Sequence, residues 1–164
     1  MDKKINARIS AYQEQIKKGD MQKTYNFLLK YVMQVKASLE KSFSQAYSFG
    51  NISPGYLDFS YFPFYNAYLR ERKLRFGIVL NHSEMRFELW LMGQNKKIQE
   101  EYWGSLKASS WNQGRTTMPQ YALLETILID HPDFEATDAL TADITSRTAI
   151  EADKIIAYLK TLEQ

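Results

Sequence analysis

Apolar residues recur along this chain in two rhythms, and the change of rhythm separates helix from sheet. Ile5, Ile9, Tyr12 and Ile16 stand three or four apart with Lys and Gln between them, which is the spacing of one helix face, and Gly19 follows where helix ends favour glycine. Asp20 is then placed to cap a second helix, whose stripe runs Tyr25, Leu28, Leu29, Val32, Val35, Leu39 and Phe43, with Lys23, Lys30, Lys36 and Lys41 mostly off it. The two are expected to form a helical hairpin.

Turn residues across Phe49-Gly50-Asn51-Ile52-Ser53-Pro54-Gly55 end that rhythm, and a period of two begins. From Tyr56 to Phe62, Leu57, Phe59 and Tyr61 point one way and Tyr56, Asp58, Ser60 and Phe62 the other, until Pro63 ends the strand or marks an edge. Leu74–Asn81 and Arg86–Met92 both alternate and are separated by the short polar stretch His82-Ser83-Glu84-Met85, which predicts a hairpin. Pairing Asn81 with Arg86 sets Leu80 against Phe87, Ile78 against Leu89 and Phe76 against Leu91, so that one face is wholly apolar.

Asn95 offers a cap for a third helix carrying Ile98, Tyr102 and Leu106, and Ser109 to Arg115 reads as loop. Residues 121 to 129 fit a strand or a short helix by period alone; Ile127, Ile129 and the stop at His131-Pro132 favour strand. Thr137 or Asp138 then caps a last helix with Leu140, Ile144, Ile155, Ile156, Leu159 and Leu162. The expected fold is α+β, a mainly antiparallel sheet of about four strands flanked by helices, in the order α-α-β-β-β-α-β-α.

A length of 164 residues fits a single domain spanning 1–164, with a core that needs no covalent staples. The chain has no cysteine, which removes disulfides, thiol nucleophiles and cysteine zinc sites. Its first residues are charged and amphipathic, and no apolar run reaches bilayer length, so the expected address is the cytoplasm, with no membrane contact. Charge is unevenly spread: residues 1–119 hold 18 Lys and Arg against 10 Asp and Glu, and residues 120–164 hold 3 against 9. Mutual attraction of the two packed segments accounts for this split without an anionic partner.

The sequence has no phosphate loop, no Gly-x-Gly-x-x-Gly and no Gly-x-Ser-x-Gly elbow. Its two histidines, His82 in the hairpin loop and His131 before a proline, read as surface turn residues, and no metal site or cofactor is expected. The hairpin's other face is the unusual feature, pairing Asn81 with Arg86, Val79 with Glu88, Gly77 with Trp90 and Arg75 with Met92. Tyr56, Asp58 and Ser60 are expected to join it from the neighbouring strand. Gly77 leaves space beside the indole, and a cation with a planar ring can grip a ligand. Equally, this surface fits a half-exposed sheet face with cross-strand ion pairs, or one covered by a helix.

Trp111 and Arg115 lie in a polar loop able to reach over a pocket, although Trp111 serves equally as a packing anchor. The basic run Arg70-Glu71-Arg72-Lys73-Leu74-Arg75 suits a phosphate contact, but charges at a strand entrance also block edge pairing, and that role is preferred.

The strings from Gly55 to Phe62, from Arg86 to Lys96 and from Ile129 to Phe134 resemble an uncharacterised family of small bacterial proteins. That resemblance implies a single-domain cytoplasmic protein and supplies no catalytic residues. The order α-β-β-β-α-β also resembles restriction-endonuclease-like folds, in which an acidic residue and a Glu-x-Lys on the next strand bind a metal. Asp58 and Glu88 would be the ligands here, but they are not on consecutive strands in this reading, and Glu88-Leu89-Trp90 has tryptophan in the lysine position.

The preferred expectation is a non-enzymatic binding module for a small ligand or a protein partner, with Asp58, Arg75, Arg86, Glu88, Trp90, Trp111 and Arg115 as candidate contacts. Nucleic acid is not the expected partner. A metal-dependent nuclease or phosphodiesterase and a self-associating structural protein are the alternatives.

Overall fold

The computed structural model describes residues 4–164. Five strands form one sheet in chain order, every neighbour antiparallel: β1 (Ser48–Phe49), β2 (Phe59–Tyr65), β3 (Leu74–Asn81), β4 (Arg86–Gly93) and β5 (Leu124–Ile129). Helices α1 (Ile5–Lys18) and α2 (Asp20–Phe43) precede the sheet, α3 (Ala67–Glu71) links β2 to β3, α4 (Lys96–Leu106) follows β4, and α5 (Thr137–Thr161) ends the chain. This is the expected α+β order, with the two-residue β1 and the short α3 added.

The β3–β4 hairpin has the register that its apolar face requires, with Leu80 opposite Phe87, Ile78 opposite Leu89 and Phe76 opposite Leu91. Those residues, with Phe62 and Phe64 of β2, are fully buried. Leu28, Val32, Val35 and Leu39 of α2 and Ile144, Ile155 and Leu159 of α5 belong to the same core. Each such side chain contributes roughly 1.5–3 kcal/mol by leaving water. Tyr31 of α2, outside the expected stripe, is buried too; its ring meets Phe87 and Phe134 edge-on, and its hydroxyl lies 3.0 Å from Thr141 Oγ1. Residues 124–129 are strand, as favoured.

Several local expectations are corrected. Gly19, in the left-handed region at φ 80°, both ends α1 and caps α2, and the Asp20 side chain makes no capping bond. It lies instead in the first turn, where its charge suits the helix dipole. No residue of α1 is buried, so the stripe through Ile5, Ile9 and Tyr12 faces solvent and does not form a packed hairpin interface. The last helix likewise has no side-chain cap from Thr137 or Asp138; Ala136 holds the cap position.

Pro63 does not end β2, which continues to Tyr65. It pairs with Gly77 on one side, and on the other its carbonyl accepts the Gly50 N–H just beyond β1. A Cβ on Gly50 would come within 2.6 Å of the proline ring.

β3 is a central strand between β2 and β4, so the basic run before it guards no sheet edge. Among the described residues three ion pairs join the basic and acidic segments: Arg72 with Glu163, Arg86 with Asp130 and Arg115 with Glu125.

Candidate ligand cavity on the outer sheet face

The sheet face turned away from the main core carries a second, smaller apolar cluster. Val79, Trp90 and Met92 pack there with Ala122, from the segment leading into β5, while Phe59 and Tyr61 flank them. β2 register decides this arrangement. Ser60 pairs with Leu80 and Phe62 with Ile78, which puts Ser60 on the core side and sends Phe59 and Tyr61 outward. The expectation that Ser60 joins the outer face is therefore corrected, and aromatics take its place.

Glu88 organises the polar part of this face. It is only 1% exposed, yet each carboxylate oxygen has donors. Trp90 Nε1–H donates to Oε1 at 2.8 Å, while Arg86 Nε and Asn81 Nδ2 donate to Oε2 at 2.8 and 3.0 Å. A buried carboxylate is tolerated when it is paired and hydrogen-bonded in this way. The network fixes the indole plane and ties the hairpin loop down, since Asn81 Oδ1 also accepts the Glu84 N–H. Glu88 in turn holds the Arg86 guanidinium firmly protonated.

Glu125, opposite Trp90 on β5, has its carboxyl pushed up by burial and then by the Glu88 charge, with Arg115 and Arg86 opposing the shift. Arg115 lies 3.3 Å from Glu125 and is committed to that pair.

Above the apolar cluster opens a cavity of about 650 Å³ whose wall includes Asp58, Phe59, Tyr61, Arg75, Trp90 and Met92. Lys96, Gln99, Met118 and Tyr121 complete it from α4 and the segment before β5. Gly77 does not supply the space: a Cβ there would lie 2.7 Å from the Met92 terminal methyl, which already fills the gap beside the indole.

Asp58 stands at the rim in a tight turn. Its Oδ1 accepts the N–H groups of Tyr56 and Phe59 at 2.8 and 2.7 Å, which holds its carboxyl below the usual range. Gly55 is needed there, because its φ of 71° and a Cβ only 2.2 Å from the Phe59 carbonyl oxygen exclude a side chain.

Arg75 is the exception to this tidy pairing. Its Nε is buried and has no hydrogen-bond partner among the described residues. An arginine N–H in that state is costly unless something accepts from it.

Of the sequence candidates, Asp58, Arg75 and Trp90 line the cavity, Arg86 and Glu88 form the network that orients Trp90, and Arg115 lies with Glu125. Trp111 is elsewhere; its ring packs on Tyr158 of α5 against the main core, the anchor role. Among the described residues no group of three His, Cys, Asp or Glu comes together.

His82 is not a free turn residue. Its Nε2 lies 2.8 Å from Ser60 Oγ, whose own hydroxyl donates to the Pro54 carbonyl at 2.7 Å. The imidazole therefore donates to Ser60, and burial lowers its pKa. Ser60 is fully buried with its proton committed, so the pair rivets the loop and offers no nucleophile.

The chain belongs to the family described as a domain of unknown function (DUF7000), whose model matches residues 5–159. This agrees with the uncharacterised family suggested by the aromatic strings, and the match includes every residue that lines the cavity. No curated protein and no solved structure matches the chain. Among the described residues no helix is long and apolar enough to cross a membrane.

Proposed function

We propose that this chain is a non-enzymatic binding domain that takes a small, partly apolar organic anion into the outer-face cavity. The observation that carries the reading is Arg75, a half-buried guanidinium whose Nε lacks any acceptor among the described residues and which stands in the wall of a cavity lined by rings and two methionines beside Asp58, Lys96 and Gln99. Concave, largely apolar sites with a few convergent polar groups are where small molecules bind. Trp90, locked by Glu88, supplies a rigid apolar floor beneath the ligand. Lys96, 3.8 Å from Glu100, adds a second cationic side chain to the lining. The cysteine-free composition supports keeping the cytoplasm as part of this proposal.

A thermal-shift screen of the purified protein against aromatic carboxylates, phosphorylated compounds and neutral analogues tests the reading, because a ligand of the folded state raises the melting temperature. Anionic aromatic compounds are expected to stabilise the wild type and to lose that effect in Arg75→Met and Tyr121→Ala. A flat screen, or stabilisation that survives Arg75→Met, would overturn it.

A further inference from the structure

Arg75 faces a second cavity as well. One of about 260 Å³ is lined by Tyr65, Arg70, Lys73, Leu74, Arg75 and Gln94, so that three cationic side chains surround it and no carboxylate does. The neighbouring Arg72 is already used: it pairs with Glu163 and stacks on Tyr68, its guanidinium carbon 3.6 Å from the ring centroid. Arg70, Lys73 and Arg75 have no such partner among the described residues. With β3 in the middle of the sheet, protection of an edge does not account for them.

Backbone conformation adds a second, independent sign. Lys73 sits at φ 58°, in the left-handed region where glycine or asparagine is the unstrained choice. Its carbonyl accepts the Gln94 N–H at 2.9 Å, which fixes this turn to the end of β4. A long cationic side chain is thus held at a strained position on the cavity wall, a pattern that points to a functional residue.

We infer that Arg70, Lys73 and Arg75 form a cradle for a phosphate group, and that the ligand of the outer-face cavity is a phosphate monoester whose apolar body lies against Trp90 and Tyr61. The inference rests on the outer-face reading, because Arg75 is the one residue that lines both cavities. A carboxylate is satisfied by a single arginine fork. Three unpaired cations around one small cavity match the higher charge and additional acceptor oxygens of a phosphate.

The test uses 1-naphthyl phosphate, 1-naphthol and inorganic phosphate, titrated at fixed ionic strength against the whole chain with tryptophan fluorescence and calorimetry as readouts. Naphthyl phosphate should bind at least about tenfold tighter than naphthol, which corresponds to about 1.4 kcal/mol. Lys73→Gly should erase that advantage while leaving the melting temperature unchanged or raised, since glycine relieves the turn; Lys73→Asn provides a second variant suited to the same backbone.

Equal binding of naphthol and naphthyl phosphate, both weakened by Tyr121→Ala, would sink the cradle and leave the cavity reading intact. A phosphate advantage that persists in Lys73→Gly and Arg70→Gln would also overturn the assignment. If none of the three probes binds, both readings fall together.

Discussion

The two faces of the sheet are built from the same five strands and behave as different materials. On the core face Phe62, Phe64, Phe76, Ile78, Leu80, Phe87, Leu89 and Leu91 are all buried under α2 and α5, and no ionisable side chain of β2, β3 or β4 intrudes. On the outer face, among the described residues, the cavity is walled by part of α4 and the segment before β5. A small apolar cluster is left with a buried carboxylate at its side, an unpaired arginine and an open cavity. Stability is concentrated where packing is continuous, and the face left uncovered keeps the groups that the proposed ligand would meet.

The largest effect expected from this contrast is at its centre. Phe76→Ala should cost about 3–5 kcal/mol in chemical denaturation, whereas Tyr121→Ala, at a ring half exposed over the outer cavity, should stay within about 0.5 kcal/mol. Similar losses at both sites would break the comparison.

Glu88→Ala should give an intermediate effect, roughly 1–3 kcal/mol, because Trp90, Arg86 and Asn81 all lose their common acceptor. The Trp90 emission should change in the same variant, and an unchanged spectrum would show that Glu88 does not set the indole environment.

The smallest effect is a pH dependence at the hairpin loop, where His82 meets Ser60 on the core side. Burial lowers the His82 pKa, so the unfolded chain takes up its proton more readily than the folded one. This histidine therefore leaves stability unaffected well above its unfolded value of about 6.5, and removes stability as pH falls from there through the lowered folded value. Denaturation midpoints of wild type and His82→Gln should diverge in that direction below neutral pH; parallel curves would count against the Ser60–His82 rivet.

Much of this was legible from residue spacing, and the failures have identifiable causes. The β3–β4 register followed from alternation, because a shift by one residue would have turned either Arg75 of β3 or Arg86 and Glu88 of β4 into the core. The side of β2 was misread for the opposite reason. Phe59 and Tyr61 on one side and Phe62 and Phe64 on the other are all aromatic, so alternation separates two sets without saying which meets the core. Tyr61, Lys96 and Tyr121 were missed as cavity residues, with no signal in residue spacing to find them, whereas Met92 was placed on the outer face opposite Arg75 without being counted as a contact.

Local chemistry in the sequence by itself determined the element order, the apolar face of the hairpin and the turn glycines, since these depend on neighbours a few positions away. Tertiary structure alone decided that Glu88 is satisfied while Arg75 Nε has no partner among the described residues, that Arg72 is spent on Glu163 while Arg70 and Lys73 have no ion pair there, and that His82 finds Ser60. Pairing and burial of a charged group depend on which distant segment the fold brings within about 4 Å, a range no spacing rule along the chain can reach.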